Sequence, residues 1–156
     1  MAVEFRMARR VQFAETDLAG VLHFSNYYRY MEELEHAFLR SIGMSVVIGG
    51  PGETISWPRV ATSCEYFAPA HFEDELDLQL RLVRIGERSI AYEVEFFKGT
   101  ERIALAKTTA VCCRMSAGTF RPVTIPDEIR ARLTEGAIPA AQTRACSAGG
   151  KKREEV

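Results

Sequence analysis

The stretch from Phe13 to Tyr27, FAETDLAGVLHFSNY, puts an acid, a flexible turn and the start of a helix close together. Asp17 stands at the end of a strand-like run, Gly20 follows three residues later, and Ser25 or Asn26 is placed to cap a helix. Backbone N–H groups in a first helical turn lack intrahelical acceptors and lie at the positive end of the helix dipole. They can therefore hold a carbonyl oxygen on which negative charge develops. A carboxylate beside such a carbonyl can attack its carbon or activate a water, and the reaction this suits is acyl transfer to water. The Asp-x-x-Gly spacing equally suits an Asx turn, in which the side chain caps its own backbone. Spacing alone leaves both readings open.

The neighbouring candidates carry less. Glu15 reads as a solvated charge at the strand end, or as a like charge felt by Asp17 if the strand continues. His23 is either a loop histidine at the surface or one that orients a substrate. Glu33 and His36 form a lone Glu-x-x-His, whereas a carboxylate-bridged metal pair needs two such pairs and further acids. His71, in the HFEDE turn, has no partner histidine or cysteine, so no metal site is expected. Cysteines 64, 112, 113 and 146 show neither zinc spacing nor disulfide density and are expected to be reduced packing residues. Cys112 and Cys113, adjacent on a strand, are expected to face opposite sides.

The elements that must position these residues follow from periodicity. Val3, Phe5, Met7, Val11 and Phe13 alternate, with Arg9 the one break, which predicts a first strand through Phe13. Tyr27, Tyr30, Met31, Leu34, Phe38 and Ile42 recur at helical steps, and Gly43 fits the left-handed position beyond a helix end. The helix is about 25 Å long at 1.5 Å per residue. Residues 44–58, rich in glycine and proline, read as irregular. Strand-like runs follow at 59–67, 75–83, 89–97 and 102–115, with Leu76, Leu78, Leu80 and Leu82 on one face and Gly86 and Gly99 at the joins. Pro126 opens a short helix to about Glu135. Residues 1–136 read as the domain and 137–156, small and charged, as a disordered tail. An antiparallel sheet with one striped helix after its first strand can bury both faces by curving around the helix. The expected class is α+β, a five-stranded antiparallel sheet wrapped on one long helix, and its open edges favour pairing into a dimer.

Composition narrows the partners. Lys and Arg total 20 against 21 for Asp and Glu, a net charge of −1 over 156 residues, so no global field attracts nucleic acid or anionic membrane. At 47% hydrophobic and 26% charged the chain is globular, and no apolar run of about 18 residues could span a bilayer. MAVEFRMARR carries Glu4 and three arginines in place of a secretory leader, so a cytoplasmic location is expected.

Asp17, Gly20, Val21, Leu22, Phe24, Asn26, Tyr27 and Tyr30 make up a segment that resembles the first motif of the 4-hydroxybenzoyl-CoA thioesterase family of hotdog proteins. Tyr66, Pro69, Ala70, Phe72, Asp74 and Leu76, then Ile85-Gly86 with Arg88-Ser89, and finally Pro122, Ile125, Pro126 and Ile129 agree with the same family, from about residue 5 to 135. The resemblance implies a hydrolase acting on an acyl-CoA without metal or redox cofactor. In it Asp17 is nucleophile or general base, Gly20 permits a tight approach and the backbone amide of Phe24 polarises the thioester carbonyl. Asn26 and Tyr27 shape the acyl pocket, with His23 a further substrate-binding candidate from the residues themselves, while Arg88, Ser89 and Arg121 hold the coenzyme A phosphates, with Arg84 and Lys107 behind them. It further implies a site between two subunits of a homodimer that assembles to a homotetramer. Two residues depart from the pattern: the histidine many relatives carry at 24 stands here at 23, and Glu35 takes a place often held by a base. The aromatic at 24 is similar to the aryl-CoA branch. The rival readings are an acyl carrier protein thioesterase, a non-catalytic acyl-CoA-binding protein and, well behind, a dehydratase, for which no histidine paired with an acid in a Pro and Gly setting is found.

Overall fold

Alternation along LDLQLRL decides the central strand: Leu76, Leu78, Leu80 and Leu82 are buried, while Asp77, Gln79 and Arg81 face out. Each leucine withdrawn from water contributes about 2 kcal/mol. The computed structural model describes residues 3–136. The tail expected over 137–156, Cys146 included, lies outside the described residues.

The strands are β1 (Val3–Arg10), β2 (Ile48–Gly50), β3 (Glu53–Ser56), β4 (Arg59–Tyr66), β5 (Glu75–Ile85), β6 (Ser89–Lys98), β7 (Glu101–Val111), β8 (Cys113–Ser116) and β9 (Thr119–Pro122). The helices are α1 (Asn26–Ser41) and α2 (Asp127–Glu135), with a 3-10 turn at Phe13–Glu15. The main sheet is antiparallel, in the order β1-β5-β6-β7-β4. Thus β4 and β1, far apart in sequence from their neighbours, form its two edges. α1 packs across β1, β5 and β7 through Tyr27, Tyr30, Met31, Leu34, Phe38 and Leu39. Ala104, Ala106 and Ala110 of β7 are fully buried and leave room for those larger side chains. Gly43, at φ +72°, ends the helix in the left-handed region as expected. Among the described residues no helix is long and apolar enough to cross a membrane.

Three boundaries differ from expectation. β1 stops at Arg10, because the Val11 N–H turns to Asp74 O (2.9 Å) and Phe13 enters the 3-10 turn, where it is 74% exposed. Residues 44–58 are not irregular throughout, since β2 and β3 form a hairpin that pairs with β8. The run 102–115 breaks at Cys112, whose N–H reaches Arg88 O (2.7 Å) and whose carbonyl accepts from Val123 N (2.9 Å). A second sheet, β2-β3-β8-β9, results. Cys112 and Cys113 are both buried, and with Cys64 they are free thiols.

Glu35, on the inner face of α1 and 3% exposed, sits against Arg59 of β4 and Tyr92 of β6. A buried carboxylate persists only when paired. The base that resemblance would put on the helix is therefore supplied from the sheet. Burial, then the adjoining carboxylate, holds the Tyr92 hydroxyl well above its ordinary range and keeps it a donor.

Ser116 and Thr119 pair across a two-residue turn in which Ala117 (φ 48°) and Gly118 (φ 78°) are both left-handed, a type I′ geometry. A Cβ in that region costs about 1–2 kcal/mol, less for asparagine. Ala117→Asn is expected to raise stability by about 0.5–1 kcal/mol in urea unfolding; an unchanged or lower midpoint would contradict this reading of the turn.

Candidate functional site

Residues 15–23 form a short hairpin ahead of α1. Asp17 N–H donates to Val21 O (2.9 Å), Gly20 N–H to Asp17 O (2.9 Å) and His23 N–H to Glu15 O (2.9 Å), with Thr16 and Leu22 bridged between them. The hairpin is docked by Leu22 N–H on Ala70 O (2.7 Å). A Cβ on Gly20 would meet nothing within 4 Å, whereas its φ is +79°. Gly20 is thus required by the backbone of the turn, and no atom of the described residues approaches it closely. Asp17, half-buried, accepts from Ala19 N–H (2.8 Å) and Val21 N–H (3.4 Å) at Oδ1. Its Oδ2 has no hydrogen-bond partner among the described residues. The Asx turn is present, and it uses only one of the two oxygens.

Glu15 is the joint of this region. Its carboxylate accepts from Arg9 (2.5 Å), from Gln12 N–H (2.8 Å) and from the Tyr30 hydroxyl on α1, while its carbonyl takes Asn26 Nδ2 (2.8 Å). Arg9 also reaches Glu33 (2.8 Å) and lies 4.3 Å over the Tyr30 ring. Burial alone would raise the Glu15 carboxyl, but hydrogen bonds from Tyr30, the Gln12 amide and Arg9 outweigh it and hold the group below its ordinary value. Glu15 is therefore not a solvated charge. Arg9, the break in the β1 alternation, faces inward toward it, its side chain only 19% exposed.

At the entry to α1, His23 O accepts from Asn26 N–H (2.9 Å). In a trans peptide N–H and C=O point in opposite directions, and no described peptide is cis, so the Phe24 N–H is turned away from the helix. Ser25 N–H donates to His23 Nδ1 (3.3 Å), and the Ser25 hydroxyl lies 2.8 Å from the same ring nitrogen. Tyr66 of β4 donates its hydroxyl to Phe24 O (3.0 Å). The Phe24 N–H has no acceptor among the described residues, and its ring is 63% exposed, 4.4 Å from that of His23. Tyr27 is in the core, edge-on to Tyr66 (5.0 Å) and Phe96 (5.2 Å), with burial pushing its hydroxyl up to about 12. So His23 caps the helix, Asn26 ties it to the hairpin and Tyr27 wedges it on the sheet.

Arg88, Ser89 and Arg121 are not brought to Asp17. β1 delivers the hairpin beside Glu75, whereas Arg88 and Ser89 lie past Ile85 at the other end of β5, about 33 Å away. Arg88 O meets Cys112 N and Glu87 O meets Ile125 N, so the segment carrying Arg121 shares that far end. Arg88 and Arg121 are exposed there, and Lys107 is engaged by Glu93 (3.6 Å). A cavity of about 540 Å³ is also remote: it lies beyond the C-terminal end of α1, lined by Met44, Ile48, Ile55 and Ile129 with Arg114 and Arg132. Around Asp17 the surface is open and apolar, with Phe13, Leu18, Phe24 and Phe72 exposed. Among the described residues no three His, Cys, Asp or Glu side chains gather in a way that could hold a metal ion. Sequence reasoning missed Glu15, Arg9, Tyr30 and Tyr66 as parts of the site; the misplaced charge at position 9 was the available signal.

The pattern of the thioesterase-like superfamily matches residues 11–133. The chain belongs to that superfamily, the hotdog-fold acyl-CoA thioesterases, and its enzyme class is thioester hydrolase. A relative in Aquifex aeolicus (strain VF5) is 33% identical over 80% of this chain and 94% of its own length. A 1,4-dihydroxy-2-naphthoyl-CoA hydrolase of Synechocystis sp. (strain ATCC 27184 / PCC 6803 / Kazusa) is 29% identical over 78% of this chain and 90% of its own. The crystal structure of a 1,4-dihydroxy-2-naphthoyl-CoA thioesterase from Synechocystis superposes with a TM-score of 0.73 over 85% of this chain and 96% of that one, at 23% identity, which shows the fold.

A carboxyl held below its ordinary value stabilises the fold above the unfolded value of about 4.3 and loses that contribution as pH falls through the folded one. Glu15→Gln is expected to cost about 2 kcal/mol at pH 7, the scale of hydrogen bonds to a charged group. It should also flatten the decline of Tm below about pH 4.5. Parallel acid limbs for both proteins in thermal scans would contradict the pairing.

Proposed function

We propose that the chain hydrolyses an acyl-CoA thioester to the free acid and coenzyme A, with Asp17 and the Phe24 amide on either side of the carbonyl. The observation that carries this reading is the unpaired Phe24 N–H turned out from the start of α1 beside a hairpin whose Asp17 keeps Oδ2 free. In the nucleophilic route Oδ2 attacks the carbonyl carbon, the oxyanion is held by the Phe24 N–H and the first turn of α1, and collapse expels the coenzyme A thiolate. Water then hydrolyses the aspartyl anhydride to carboxylate and acid. In the general-base route Oδ2 takes a proton from a water that attacks directly, and the thiolate leaves with that proton. Both routes balance without a redox partner. The names of relatives, naphthoyl-CoA hydrolases among them, support a coenzyme A thioester, and the exposed aromatics around Asp17 suit an apolar acyl group.

The phosphate-binding role of Arg88, Ser89 and Arg121 requires a second copy. The β1 edge is charged, with Arg6 on Asp77 (2.8 Å) and Arg10 on Glu75 (3.3 Å), which guards it against pairing. Between Arg59 and Glu65 the β4 edge runs Val60-Ala61-Thr62-Ser63-Cys64 without a charge. Tyr66 marks the Asp17 end of β4, and Arg59 the end near Ser89 and Val111. Two β4 edges paired antiparallel about a two-fold axis set the Tyr66 end of one copy beside the Arg59 end of the other. Such a homodimer brings one copy's Arg88 and Arg121 toward the other's Asp17, and tetramers form from two such dimers. The hydrogen bonds to Asp17 Oδ1 favour a second reading, a non-catalytic acyl-CoA-binding protein in which this carboxylate only shapes its turn.

Asp17→Asn keeps an oxygen for the turn and removes the charge, so the variant separates the two. Thiol release is measured from aryl, short-chain and long-chain acyl-CoA and from an acyl carrier protein donor. Turnover is expected to fall at least about 100-fold, the scale of lost acid-base participation. Unchanged turnover would remove Asp17 from the mechanism, and binding without turnover by the unaltered chain would favour the second reading.

A further inference from the structure

The peptide groups around Phe24 are fixed unevenly. The 23–24 peptide, which contains the Phe24 N–H, is held by the bond between His23 O and Asn26 N–H (2.9 Å). The 24–25 peptide is held at one end by Ser25 N–H on His23 Nδ1 (3.3 Å), a long contact, and at the other by the Tyr66 hydroxyl on Phe24 O (3.0 Å). Tyr66 comes from β4, on the far side of α1's first turn in sequence and at the sheet edge, and its ring rests edge-on against Tyr27 at 5.0 Å. Rotation of the 24–25 peptide changes the backbone angle at Phe24 and so works against the His23 O bond that fixes the amide preceding it. Without the Tyr66 hydroxyl, the Phe24 carbonyl has no hydrogen-bond partner among the described residues, and the 24–25 peptide keeps the long bond to the histidine ring. The ring is 45% exposed, so it is not there chiefly as core.

We propose that Tyr66 is a positioning residue for the thioester carbonyl: its hydroxyl locks the Phe24–Ser25 peptide and thereby aims the Phe24 N–H at the developing oxyanion. The inference rests on the reading of Phe24 under Proposed function. Its consequence is selective for the transition state, because a donor aimed at the oxyanion position strengthens as the carbonyl oxygen gains charge and does little for the bound ground state. Burial, and then Cys64, holds the Tyr66 hydroxyl above its ordinary range, so it remains a protonated donor through neutral pH and the effect does not titrate there.

Tyr66→Phe tests this directly, since it keeps the ring on Tyr27 and removes only the hydroxyl. kcat is expected to fall about 10- to 30-fold with KM within about twofold, below the 10²–10³ seen when an oxyanion donor is removed outright. The shape of the pH profile should be unchanged. The Phe24 ¹³C carbonyl resonance should move upfield as its hydrogen bond is lost, with Tm changed by no more than a few degrees. A merely structural tyrosine would give full kcat in Tyr66→Phe, and that result, or an unmoved Phe24 carbonyl resonance, overturns the proposal. Asp17→Asn in the same assay keeps the two claims apart. If it abolishes turnover while Tyr66→Phe is silent, the positioning role falls and the hydrolase reading stands. If the unaltered chain releases no thiol, the hydrolase reading falls and the positioning of a catalytic amide falls with it.

Discussion

Everything near Asp17 hangs on the Glu15 carboxylate. It gathers an arginine from β1, a backbone N–H from the 3-10 turn and a tyrosine hydroxyl from α1, while its own carbonyl holds Asn26 and its hairpin partner His23. Strand, hairpin and helix, each able to shift independently, are fixed to one residue two positions from Asp17. Because the group is mostly withdrawn from water, each of these bonds acts in a medium that strengthens it, and removing one partner leaves another buried and unsatisfied. The geometry between the acid and the helix entry is thus a property of this knot and not of the hairpin alone.

A second constraint follows from the way the sheet is laid out. The acid and the exposed arginines at positions 88 and 121 sit at opposite ends of an eleven-residue strand. One end of the sheet therefore carries the acid and the helix entry, and the other carries the exposed arginines. The antiparallel pairing of two β4 edges proposed above would bring the two ends together. The open pocket near the end of α1 is lined by none of these residues and is bounded in part by the second sheet.

The order of elements was legible because period-two and period-3.6 patterns survive wherever one face of an element is buried, as along β5 and α1. The turn at Asp17 and the start of the helix were legible for the same reason, at the junction of two patterns, whereas neither the Ser25 nor the Asn26 side chain caps the helix as expected. What was hidden depended on contacts distant in sequence. Phe13 keeps the parity of β1 yet lies exposed in a turn, because Val11 is drawn to Asp74 and ends the strand early. β2 and β3, three and four residues long, are too short to show alternation and form only by pairing with β8. Tyr66 reads as part of a strand, and nothing in its neighbours announces a hydroxyl bond to a carbonyl 42 residues away. Glu15 was misread as a surface charge since its partners, Arg9 and Tyr30, come from different elements.

The most direct measurement is a crystal structure with a non-hydrolysable thioether analogue of an acyl-CoA, its ketone standing in for the scissile carbonyl. The carbonyl oxygen is expected within about 3 Å of the Phe24 nitrogen, with Asp17 Oδ2 facing the carbonyl carbon at about 3–3.5 Å, the separation of a near-attack geometry. An acyl group seated in the cavity beyond the end of α1, or a ketone oxygen directed away from the Phe24 amide, would contradict the assignment.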